Sequence, residues 1–234
     1  MFIQEIKLFA NNLESIVDFY NRVLELPIVK RSERRVSFEV GESRLTFERC
    51  DAELKPYYHF AFNVTESKAD QIVPWLKARG IVINLTNEKE VNFFKDWNAH
   101  SAYFYDPAGN IVEFIARHNT KQESDQPFNP EDLLNISEIG MPALDVISLS
   151  ELLIERYDEQ IYLSGDDMFT PIGDEQGLLI LSSLDRIWLG SDKKVEIYPL
   201  EIVIANAWED TVQLENYPYR ITSRAVSGKS NKGD

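Results

Sequence analysis

One order of elements, a strand, a helix and then short strands, recurs along this chain and limits its fold more than any other feature. FIQEIKLF near the N-terminus has strand character. NNLESIVDFYNRVLEL has helical periodicity, with Asn12 as N-cap and Ile16, Val17, Tyr20, Val23 and Leu24 on one face. Pro27 stops this helix, and IVKRSE, RVSFEV and SRLTFERC follow as strands. The order returns with HFAFNV as a strand and SKADQIVPWLKARG as a helix closed by Gly80. IVINLT, SAYFY and NIVEFIA then read as strands, with NEKEVNFFKDWN as a loop between the first two of them.

A third start comes at ISEIGMPALDV, followed by SLSELLIERYD as a helix and IYLSG, MFTPIGD, GLLILSS and RIWLG as short strands. YPLEIVIANA reads as one further strand. The expected class is therefore α+β, built from repeated βαβββ modules of which the third is degenerate. Residues 1–118 hold the first two modules, the polar stretch 119–135 is a linker, 136–222 hold the degenerate module, and 223–234 form a disordered tail.

Composition narrows the partners. A formal charge of −15, from 39 acidic against 24 basic residues, repels phosphate backbones and anionic membrane surfaces. Neither nucleic acid nor membrane is an expected partner, and no apolar run reaches the roughly 18 residues that span a bilayer. The single cysteine, Cys50, excludes an intrachain disulfide and a Cys-rich zinc site, which points to a reducing, cytoplasmic setting.

In NIVEFIA, Glu113 stands among Ile111, Val112, Phe114 and Ile115. A carboxylate in so apolar a strand costs several kcal/mol unless something pairs with it. One partner within reach of such a reading is His59, as a buried ion pair.

NNLESIVDFYNRVLELPI, HFAFNV and YDPAGNIVEFI together resemble the vicinal oxygen chelate superfamily, which includes glyoxalase I, fosfomycin-resistance proteins, extradiol dioxygenases and bleomycin-resistance proteins. The resemblance covers about residues 1–118. It implies that paired modules within 1–118 curve their sheets around a cleft, and that a divalent metal (Mn, Fe, Zn or Ni) sits on Glu5, His59 and Glu113. Thr46 stands where glyoxalase I has a carboxylate, so a complete glyoxalase set is absent. Strand alternation agrees: if Ile6 and Leu8 face the helix, Glu5 and Lys7 face the other side, as do His59 and Glu113 on their strands. The competing pairing is Glu5 with Lys7 or Arg44.

His100 and Tyr103 are the candidate catalytic residues, each able to move or hold a proton, and Tyr105, Phe94 and Trp97 are candidate pocket walls. In the third module Glu138 takes the position of Glu5, but no histidine lies beyond residue 118, so that half reads as a fold without a site. The resemblance implies one of two functions. The first is a metal-dependent lyase, isomerase or ring-cleaving dioxygenase acting on a small molecule with adjacent oxygens; the second is a metal-free small-molecule or drug-binding protein. Modules of this kind pair within one chain or between chains, which allows a homodimer.

Overall fold

The computed structural model describes residues 1–51 and 53–225. The first module runs through β1 (Phe2–Ala10), α1 (Leu13–Val17), a π-helical segment (Asp18–Val23), β2 (Ile28–Arg31), β3 (Arg35–Val40) and β4 (Ser43–Arg49). The second has β5 (His59–Val64), α2 (Ile72–Ala78), β6 (Ile83–Asn84), β7 (Asn92–Phe94), β8 (Ala99–Tyr105) and β9 (Ile111–Arg117). The third has β10 (Leu133–Ala143), α3 (Val146–Tyr157), β11 (Phe169–Asp174) and β12 (Gly177–Ser183). A fourth, without a helix among the described residues, comprises β13 (Leu200–Asn206), β14 (Asp210–Gln213) and β15 (Tyr219–Ala225).

The α+β class and the modular repeat are as expected. Several details differ. IYLSG and RIWLG, expected as strands, form none, and β10 begins at Leu133, within the expected linker 119–135. NFF in the expected loop forms β7, because its residues pair with Ala99, His100 and Ser101 of β8. The single expected C-terminal strand is a three-stranded unit, in which β15 pairs with both β13 and β14. Ser223, Arg224 and Ala225 therefore belong to a strand rather than to the tail, and 226–234 lie outside the described residues.

Local chemistry explains the first helix. Asn12 Oδ1 accepts from the backbone N–H of Glu14 at 3.1 Å and of Ser15 at 3.2 Å, while Leu13, Ile16, Val17 and Tyr20 are buried. Removing this cap as Asn12→Ala is expected to cost about 1 kcal/mol in urea or thermal melts, with no change in any property of the cleft.

How the modules pair is the main departure from expectation. β1 lies antiparallel to β13, with Glu5 opposite Val203 and Lys7 opposite Glu201. β5 lies antiparallel to β10, with Ala61 opposite Glu138. Module one is thus joined to module four and module two to module three, instead of modules one and two enclosing a cleft within 1–118. The two pairs meet where β1 touches β10 through Ile3 and Ile136, giving one continuous 15-stranded sheet.

Alternation then sorts each strand. Phe60, Phe62 and Phe114 turn toward Trp75 of α2 and form the helix-side core, with ring centroids 5.6–6.4 Å apart. His59, Ala61, Glu113 and Ile115 turn to the opposite, concave face.

Candidate metal centre

On that face β5, β9 and β10 bring His59, Glu113 and Glu138 together. Each is buried, and one ligating atom from each lies within 4.8 Å of the others. His59 Nε2 is 3.6 Å from Glu113 Oε2 and 4.0 Å from Glu138 Oε2. The other ring nitrogen, Nδ1, lies 3.2 Å from the Ile111 carbonyl, which can only accept. The hydrogen therefore sits on Nδ1, and the lone pair on Nε2 faces the two carboxylates.

Burial pushes the His59 imidazole down to about 4, so it is neutral near pH 7. Burial first, and the neighbouring Glu138 second, push the Glu113 carboxyl up. The Ser101 and Tyr103 hydroxyls and the more distant Arg117 pull the other way without overcoming this. Burial also raises Glu138, against the pull of Arg117. Two carboxylates this close resist joint ionisation unless a cation stands between them. A divalent ion fits this donor set: one oriented imidazole nitrogen and two carboxylates, on a face where Ala61 leaves space. The register position on β12 that matches Glu113 on β9 holds Ile180, so the set has three members.

Arg117 stands behind the cluster. Its side chain is fully buried, with Nη2 2.5 Å from Glu138 Oε1 and 3.1 Å from Ser137 Oγ, and Nε 3.2 Å from Asn63 Oδ1. Among the described residues Nη1 has no hydrogen-bond partner. One carboxylate oxygen of Glu138 is thus held by the guanidinium while the other faces His59.

Glu5 is not brought to this centre. Its Oε1 accepts from Thr46 Oγ1 at 2.7 Å and its Oε2 lies 3.9 Å from Arg44, in the cleft that modules one and four enclose. The physical reason is the pairing of β1 with β13. By register, Glu5, Thr46 and Glu201 occupy the places that His59, Glu113 and Glu138 occupy in the other cleft, and Lys7 stands where Ala61 does. The Lys7 ammonium is ion-paired with Glu201 and lies 3.6 Å from Glu48, so this second cleft carries its own cation.

Tyr103, cross-strand partner of Glu113, lines the candidate site, and burial together with the Glu113 carboxylate raises its hydroxyl well above the ordinary phenol range. His100 does not reach the site. It shares β8 with Tyr103 at opposite parity, so its ring turns to the other face, where Nδ1 is 2.7 Å from His118 Nε2 and the ring packs on Phe93.

A cleft of about 250 Å³ opens over His59, Glu113 and Glu138, with Phe94, Trp97, Tyr103, Phe169 and Trp188 as aromatic walls. Its cover comes from the segment between β12 and β13. Trp188 lies over His59 at 5.2 Å between ring centroids, and a Cβ on Gly140 would sit 2.6 Å from that indole, so only glycine leaves it room. Gly190, at φ +68°, packs against the Tyr103 ring, and Asn84 donates to its carbonyl at 2.8 Å. The sequence reading missed Glu138, Arg117, Arg186 and Trp188 as site residues. The first was signalled by the repeated pattern Ile-x-Glu-Ile, at Ile3–Ile6 and again at Ile136–Ile139.

Residues 2–114 match the profile of the Glyoxalase/Bleomycin resistance protein/Dioxygenase superfamily. The N-terminal half belongs to that superfamily. The superfamily fold extends over the whole chain. A protein assigned as a dioxygenase from Bacillus subtilis is similar over 95% of this chain and 85% of its own, at 12% identity and a TM-score of 0.64. A glyoxalase I mutant from Zea mays is similar over 95% and 91%, at 12% identity and 0.59. These two show the fold alone. Lactoylglutathione lyase from Agrobacterium tumefaciens shares 25% identity over 48% of this chain and 91% of its own, with a TM-score of 0.41. No curated relative matches the sequence. Among the described residues no helix is long and apolar enough to cross a membrane.

Proposed function

We propose that this superfamily member is a metal-dependent enzyme, a lyase, isomerase or ring-cleaving dioxygenase acting on a small molecule with adjacent oxygens, and that His59, Glu113 and Glu138 hold its metal. The observation that carries this reading is the His59 tautomer: Nδ1 is committed to the Ile111 carbonyl, and the free lone pair of Nε2 faces two buried carboxylates. A bound divalent ion would supply Lewis acidity toward the substrate oxygens.

The chain's own residues do the rest. Arg117 fixes one oxygen of Glu138 and so sets the direction of the other. Tyr103 keeps its proton at neutral pH and serves as a hydrogen-bond donor to a substrate oxygen rather than as a base. The aromatic walls favour a planar substrate and exclude water from the reacting atoms.

The test is elemental analysis of protein prepared without affinity tag or chelator, followed by a screen of vicinal diols, diketones and epoxides on the Mn- and Fe-loaded forms. Near-stoichiometric metal and turnover of one class are expected. A protein that neither carries nor takes up Mn, Fe, Zn or Ni would overturn the enzyme reading and leave the metal-free binding protein in its place.

A further inference from the structure

The chain as a whole is strongly acidic, at −15, yet one cation lines the cleft without a carboxylate in ion-pair contact, Asp166 acting on it only from a longer range. Arg186, half-buried, stands in the cover segment with its Cζ 4.6 Å from the centroid of the Phe169 ring and its Nη1 3.0 Å from Ser182 Oγ. Among the described residues no carboxylate lies within 4.0 Å of it, and Ser182 is its one side-chain hydrogen-bond partner. Its charge reaches the far wall, adding to the forces that keep His59 neutral.

A guanidinium offers five N–H donors in a planar fork suited to a carboxylate, and here one is committed. Packing against the Phe169 ring and partial burial in the cleft thin the water around the rest, which strengthens a charge-assisted bond formed there. The surrounding negative charge opposes an anion only weakly at contact range, since a Debye length of about 8 Å screens distant carboxylates.

Resting on the metal-centre reading for the opposite wall, we propose that Arg186 is the anchor for a carboxylate on the substrate, and that the substrate is an aromatic acid. Its ring lies between the aromatic walls, its adjacent oxygens face His59, Glu113 and Glu138, and its carboxylate pairs with Arg186 at the mouth.

The anchor can be tested apart from the metal. Phenylacetate and its neutral analogue phenylacetamide are titrated into the wild type, Arg186→Gln and Arg186→Lys, each as chelator-treated and as Mn-loaded full-length protein. Tryptophan fluorescence reports occupancy beside Trp97 and Trp188, and elemental analysis reports Mn in the same samples. Phenylacetate is expected to bind the wild type about tenfold more tightly than the amide. The preference should vanish in Arg186→Gln and survive in part in Arg186→Lys, with Mn content equal in all three. Equal or undetectable binding of the two probes to the wild type, or a preference that persists in Arg186→Gln, would overturn the anchor whatever the Mn content. Failure to hold Mn would instead strike the metal reading, and the chelator-treated arm would still decide on Arg186.

Discussion

Glu138→Ala is expected to empty the candidate centre as fully as His59→Ala or Glu113→Ala, whereas Glu5→Ala leaves metal content unchanged. Changes to groups that merely support a ligand cost about 10–100-fold in metal affinity, so removing one of three ligands should cost at least about 100-fold. Elemental analysis of the four variants after dialysis against a weak chelator reads this directly. The contrast between Glu138 and Glu5 carries the weight, because the two glutamates have equivalent places on β10 and β1 and differ in which module faces them. Metal lost from Glu5→Ala and kept in Glu138→Ala would mean that the module pairing is wrong.

Arg117→Met should be the most destabilising single change near the site. It deletes the buried partner of Glu138 and leaves a carboxylate in an enclosed space with no guanidinium to offset it. Breaking such a pair from one side costs about 3–5 kcal/mol, which for a chain of this size lowers the melting temperature by roughly 10 °C. Adding Glu138→Gln to Arg117→Met should return a large part of the loss, because the uncompensated charge is gone. Thermal melts of the metal-free single and double variants measure the coupling. A double variant no more stable than Arg117→Met would show that Arg117 acts through packing on Trp97 and Tyr162, which it also approaches, rather than through charge.

Much of this was legible in the sequence. Period-two alternation placed His59 and Glu113 on one face, and the resemblance to the superfamily implied curved sheets around a cleft. Which first strand lies beside which was not legible, since β1 and β5 are both apolar strands and the choice of β13 and β10 as partners rests on tertiary fit. The consequence was the choice of Glu5 over Glu138. His100 is a different matter, because alternation along SAYFY and the residue before it already sets His100 and Tyr103 on opposite faces. Arg186 and Trp188 escaped because RIWLG was read as a strand, whereas it forms the cover of the cleft, held by the isolated Ile187–Lys194 bridge, by a turn bond from Arg186 N–H to the Ser183 carbonyl and by side-chain bonds.

The two clefts of one chain give the same scaffold two solutions to one charge problem. Where β5 has Ala61, Arg117 offsets one of the two carboxylates from behind and a bound divalent ion would supply the remaining charge; where β1 has Lys7, an ammonium on the strand itself stands beside Glu201. The molecule thereby contains its own reference state. Heat, denaturant or salt act on both halves, but an ion added from solution should stabilise only modules two and three. Hydrogen exchange compared between β5 and β1 would separate the effect of the ion from every general effect, with no second protein needed as a control.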